Sequence, residues 1–133
     1  SDSTRMYSLG EPSAHARAEF EVLRLAQAAA VECVRPGITC ESVDQVARDY
    51  LAQADLAQFF IHRTGHGIGL ETHEEPYIVA GNTRVLEPGM AFSVEPGVYR
   101  AGSHGARIED IVVCTEDGVL RCNTRPHELV VVG

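Results

Sequence analysis

The sequence predicts an α+β domain, two amphipathic helices followed by a run of short antiparallel strands. Up to Asp55 the apolar residues recur at steps of three and four. From Tyr77 onward they fall in short runs bounded by Pro-Gly and Asp-Gly pairs. No repeat, linker or low-complexity run divides the 133 residues, and 44% are hydrophobic, enough for one packed core.

Each element follows in order. Asp2 to Tyr7 reads as a short strand ending near Gly10 and Pro12. Pro12 and Ser13 open the first helix. Phe20, Leu23, Ala26, Ala30 and Val34 form its apolar stripe, and Pro36-Gly37 ends it. Thr39 is the expected N-cap of the second helix, with Glu41 and Asp44 suited to its first turns. Val43, Val46, Ala47 and Leu51 supply the buried face. Phe59 to Ile61 reads as a strand entering the glycine-rich stretch Gly65 to Gly69. Val85-Leu86 and Met90 to Val94 are expected strands. Tyr99 leads to a turn around Gly102 and Gly105. Ala106 to Cys114 and Val119 to Cys122 form an expected hairpin across Glu116-Asp117-Gly118, whose Asp-Gly pair favours a tight primed turn. Pro126 to Val132 supplies a last strand.

The balance of charge narrows the function. Nineteen acids against 11 bases give a net charge of −8, which excludes a nucleic-acid face. The excess suits a solvated surface, and it also suits carboxylates gathered around a cation. Cys33, Cys40, Cys114 and Cys122 form no Cys-x-x-Cys pair, so reduced thiols in a cytoplasmic protein are expected rather than a zinc site. No stretch is long and apolar enough for a membrane span, and no signal peptide is evident. The chain opens at Ser1 without an initiator Met, which suits a truncated or processed product.

The strongest chemical signal is the run His62-Arg63-Thr64-Gly65-His66-Gly67-Ile68-Gly69. Histidine serves both as metal ligand and as proton carrier near neutral pH. Glycines on both sides of His66 allow backbone to come close. Alone, such a run is more often a glycine-rich turn with an incidental histidine. His73 follows seven residues later, and Glu95 and Glu109 interrupt apolar strand patterns. Alternation places Glu95 on the face of Ser93. A carboxylate inside a strand core is costly unless paired or bound to a cation. Pairing with Arg107 is the plain alternative for either glutamate. Together with the two histidines, they form a candidate ligand set.

The run from His62, with His73, Glu95-Pro96-Gly97 and Arg107-Ile108-Glu109-Asp110, resembles the pita-bread metallopeptidases, which include methionine aminopeptidase, aminopeptidase P and prolidase. The opening Ser1 to Arg5 is similar to the segment that carries this family's second aspartate ligand. Arg107 to Asp110 and Glu71 to Pro76 resemble the Xaa-Pro branch. The resemblance implies that residues 1–133 are the C-terminal part of a pita-bread catalytic domain, with two helices packed on a curved antiparallel sheet. It implies Asp2 and Glu109 as bridging carboxylates, with His66 and Glu95 completing the second metal's coordination. It implies His73 as stabiliser of the tetrahedral intermediate and Glu95 as proton carrier. His62 and Arg107 would support substrate geometry.

The implied activity is hydrolysis of Xaa-Pro peptide bonds, on proline-containing peptides, with two divalent ions. Two cations sharing a water lower its pKa, and a mostly oxygen donor set suits manganese, with cobalt, iron or zinc as substitutes. Protonation of the imide nitrogen gives the proton carrier its purpose. The family's first aspartate is expected about eleven residues before Asp2, so this chain alone holds ligands for one ion at most and is expected to be inactive. Its parent is expected to be a homodimer, and the chain alone is expected to expose apolar sheet surface that dimerisation or segment swapping would cover. The other readings are a non-catalytic module using the same cleft, a creatinase-like hydrolase without metal, and an unrelated α+β domain.

Overall fold

The computed structural model describes residues 2–133. Helix α1, Ala14–Glu32, begins where Ser13 accepts from the backbone N–H of Ala16 and ends at Cys33, ahead of Pro36. Helix α2, Cys40–Ala52, begins where Thr39 accepts from Ser42 N–H. These caps satisfy donors that a helix start leaves free. Leu23, Ala26 and Ala30 of α1 and Val43, Ala47 and Leu51 of α2 are fully buried, so the apolar faces read from the sequence turn inward. They share one core with Ile78, Phe92, Val94 and Val112 of the sheet. Truncating a buried Leu in such a core costs about 2–5 kcal/mol.

The helices cover a five-stranded antiparallel sheet in the order β3-β2-β4-β7-β8. Its strands are β2 (Gly65–Gly67), β3 (Glu74–Ile78), β4 (Ala91–Val94), β7 (Asp110–Cys114) and β8 (Val119–Arg121). Strands β5 (Gly97–Arg100) and β6 (His104–Arg107) form a separate hairpin, and β1 (Tyr7–Leu9) lies parallel to β9 (Val130–Val132). This is the α+β arrangement expected, a partial pita-bread fold. No helix among the described residues is long and apolar enough to cross a membrane.

Several boundaries differ from expectation, each for a visible reason. Asp2 to Tyr7 is not a strand, because Thr4 makes only an isolated bridge to Glu109 and regular pairing starts at Tyr7. Phe59 to Ile61 is a 3₁₀ turn (Ala57–Phe59) and its exit, since Arg48 takes the carbonyls of Phe60 and His62 that a ladder would use. Ala106 to Cys114 is broken at Ile108-Glu109. The Glu109 carbonyl accepts from Arg5 Nη1 at 2.8 Å, and β6 and β7 join different sheets. Val85 keeps one bridge, to Thr39. The last strand is only Val130–Val132, because the Pro126 carbonyl accepts from Arg5 Nε at 2.9 Å.

Candidate metal centre and substrate cleft

Strand β2 is central to the site. A side chain at Gly65 would put its Cβ 1.8 Å from the Ser93 carbonyl oxygen, and one at Gly67 would meet the Glu75 carbonyl at 2.2 Å. Glycine therefore lets β3 and β4 close on both sides of His66. His66 N–H donates to Ser93 Oγ at 3.0 Å, and Ser93 Oγ donates to Glu95 Oε1 at 2.9 Å. The alternation that put Ser93 and Glu95 on one face thus has a contact to match.

The orientation of the His66 ring follows from its partners. Nδ1 lies 3.0 Å from the Gly67 carbonyl, which can only accept, so Nδ1 carries the proton. Nε2 faces Glu95 Oε1 at 3.1 Å and Asp2 Oδ2 at 3.8 Å. Asp2, His66 and Glu109 each offer a donor atom within 4.8 Å of the others. The four side chains come from the N-terminal segment, β2, the β4–β5 junction and the β6–β7 junction.

Glu109 is almost fully buried. Burial raises its pKa above the ordinary value, and the charges of Glu95 and Asp2 add to the rise, while a hydrogen bond from Thr4 opposes it. Pairing with Arg107, the plain alternative for either glutamate, is loose. Arg107 Nε is 3.9 Å from Glu95 and 4.0 Å from Glu109, and it donates instead to Thr4 Oγ1 at 3.2 Å. Three carboxylates around one buried imidazole fit a divalent cation, because the loosely placed Arg107 guanidinium is one positive charge against three negative ones.

Beside this cluster lies an open cleft of about 630 Å³, lined by His62, Arg63, His73, Tyr77, Val79, Glu95 and Arg107. The His73 ring meets the His66 ring edge-on at 4.3 Å. His62 Nδ1 donates to the Arg63 carbonyl at 2.8 Å, so its Nε2 accepts from Tyr99 hydroxyl at 2.9 Å. Burial raises the Tyr99 phenol above its ordinary pKa, which keeps it a donor. All seven residues singled out from the sequence, Asp2, His62, His66, His73, Glu95, Arg107 and Glu109, therefore lie in or beside one cleft.

The sequence reading missed the supports. Thr4 joins Glu109 both through its side chain and by mutual backbone bonds of 3.3 Å. Arg5 donates to Asp110 Oδ1 at 2.7 Å. Asp44, fully buried, accepts from Thr64 N–H and hydroxyl and from Arg48. Asp44 had a signal, since it sits on the apolar side of α2 between Val43 and Ala47. His104 and His127 are half-buried, with Nε2 atoms 2.7 Å from Glu19 and from Asp110.

The chain is similar to known proteins along most of its length. Residues 1–116 match metallopeptidase family M24. A probable dipeptidase PepE of Mycobacterium tuberculosis is 63% identical over 132 residues, 99% of this chain and 35% of that protein. An Xaa-Pro dipeptidase of Lactobacillus helveticus is 54% identical over 118 residues, 89% of this chain and 32% of that protein. Among solved structures, dipeptidase PepE from Mycobacterium ulcerans superposes with a TM-score of 0.97 at 63% identity, covering 99% of this chain and 36% of that one. The chain thus spans about a third of the length of these relatives. The donor set suits a divalent ion. The chain belongs to metallopeptidase family M24.

Proposed function

We propose that residues 1–133 form the C-terminal part of a pita-bread catalytic domain whose whole protein hydrolyses Xaa-Pro peptide bonds. One observation carries the reading. Asp2, His66, Glu95 and Glu109 converge at the wall of a cleft that His62, His73 and Arg107 also line or border. The Xaa-Pro dipeptidase name of the Lactobacillus helveticus relative supports the substrate class.

In this reading Asp2, Glu109, His66 Nε2 and Glu95 would hold the metal. A pair of divalent ions, manganese matching an oxygen-rich set best, would supply Lewis-acid polarisation of the scissile carbonyl and a nucleophile at neutral pH. Glu95 carries a proton toward the leaving imide nitrogen, which is a poor leaving group until protonated. His73 projects into the cleft and donates a hydrogen bond to the oxyanion as it develops. His62, held by Tyr99, and Arg107 orient the peptide.

The donors present here complete the coordination of one ion, so the 133 residues alone are inactive in this reading. The test is hydrolysis of an Xaa-Pro dipeptide by the whole protein, of which these 133 residues form part, with manganese, beside its His66→Ala variant. The variant should lose most bound manganese and at least about a hundredfold in kcat/KM. A variant that keeps both metal and turnover would overturn the assignment.

A further inference from the structure

We propose that His15, Glu19 and His104 form a second metal site, separate from the proposed catalytic centre, that takes a zinc-class divalent ion and fastens the start of α1 to the β5–β6 hairpin. His15 and Glu19 are four residues apart on α1, so they share one face of the helix. His104 opens β6 on the hairpin packed beside that face. His15 Nε2 lies 3.2 Å from Glu19 Oε1, and His104 Nε2 lies 2.7 Å from Glu19 Oε2. One donor atom from each of the three residues lies within 4.8 Å of the other two. Ligand bonds of about 2.1 Å in a tetrahedral site put donors about 3.4 Å apart. The widest gap in the trio therefore closes by at most about 1.4 Å while the 2.7 Å His104–Glu19 contact opens, and His15, with a side chain 64% exposed, is free to make that move.

The surroundings resemble those of a ligating set. Ser103 Oγ lies 3.0 Å from His104 Nδ1, an outer contact of the kind that orients a ligating imidazole. Nε2 donates to Glu19 Oε2 at 2.7 Å when no ion is bound, and an ion would displace that proton. Glu19 is itself buried, and Arg100 donates to its Oε1 at 2.7 Å. Arg100 is pinned over the Phe59 ring at 3.9 Å, so Oε1 stays with the guanidinium and Oε2 is left for the metal. The nearby positive charge lowers the affinity below that of a four-ligand structural zinc site.

Donor chemistry separates the two centres. Asp2, Glu95, Glu109 and His66 make an oxygen-rich set, whereas two imidazoles and one carboxylate favour zinc, nickel or copper over manganese or magnesium. The hairpin that the second site would fasten also carries Tyr99, which holds His62, and ends at Arg107.

The experiment is zinc soaking of crystals of the unmodified full chain, with diffraction recorded on both sides of the zinc absorption edge. An anomalous peak among His15, Glu19 and His104 is expected. A peak confined to Asp2, His66 and Glu109, or none at millimolar zinc, overturns the proposal without touching the peptidase reading. Equilibrium dialysis against zinc gives a second readout in a His66→Ala background. One bound zinc should be lost on adding His15→Ala and His104→Ala, and retained with Glu21→Gln, a control on the exposed face of α1. Equal zinc binding with and without His15 and His104 also overturns it.

Discussion

Arg5 Nη2 donates to Asp110 Oδ1 at 2.7 Å, with both side chains closed off from solvent. Asp110 Oδ2 also accepts from Gln27 of α1 at 3.0 Å and lies 2.7 Å from His127 Nε2. Arg5 Nη1 holds the carbonyls of Thr4 and Glu109. One ion pair therefore ties the segment bearing Asp2 to the strand junction bearing Glu109. Removing one member of a buried pair leaves the other charge uncompensated, at a cost of about 3–5 kcal/mol. Arg5→Leu should lose that much stability in urea unfolding and bind manganese more weakly. A variant within about 1 kcal/mol of the parent, with unchanged metal affinity, would show that the pair is dispensable.

Gly65 is a second sensitive point, for steric reasons alone. Its missing Cβ would sit 1.8 Å from a backbone oxygen of β4, which cannot turn aside as a side chain can. Gly65→Ala must push β2 and β4 apart, and overpacking of this kind costs at least about 1–3 kcal/mol. Gly118, whose Cβ would meet nothing within 4 Å, is the comparison. Gly118→Ala should change stability by no more than about 0.5 kcal/mol. Thermal unfolding of the two variants side by side measures the contrast.

Much of the site was legible because its residues violate local pattern. Glu95 and Glu109 stood out as acids in apolar strands, and His66 stood out between glycines. Both helices were legible from stripe and cap, with Ser13 and Thr39 capping as read. The strand boundaries were not, because they depend on distant side chains. Nothing near Ile108 announces a break; Arg5, more than 100 residues away, takes the Glu109 carbonyl there. The partners of His104 and His127 were hidden for the same reason, since Glu19 and Asp110 reach them only through the fold. Periodicity reports which face is buried, and it is silent on which polar groups meet.

Asp44 tests how far the cleft depends on a helix behind it. Its carboxylate takes Thr64 hydroxyl at 2.8 Å and Arg48 Nε at 2.7 Å, and Arg48 Nη2 in turn takes the His62 carbonyl at 2.7 Å. The loop from Phe60 to Thr64 is thereby anchored to α2. Asp44→Ala strands the Thr64 donors in the interior and frees Arg48, so about 2–4 kcal/mol of stability should go. In the full chain the loosened His62 should lower kcat/KM about 10–100-fold. The chemical shift of the His62 ring gives a direct check, and an unmoved ring with full activity would separate this helix from the site.

The thiols give a test that needs no activity. Cys40 and Cys114 are buried, Cys33 is half-buried and Cys122 is exposed, and all four are free. Burial raises the pKa of Cys33, Cys40 and Cys114 above the ordinary thiol value. Raising a thiol pKa shrinks its thiolate fraction at neutral pH, and only the thiolate attacks a disulfide reagent. Native protein at pH 7 should therefore show one fast thiol, lost in Cys122→Ser. The other three should react slowly, faster as pH rises toward their pKa values, and all four at once in denaturant. Two or more fast thiols at neutral pH would mean that the helix–sheet core opens more readily than its packing implies.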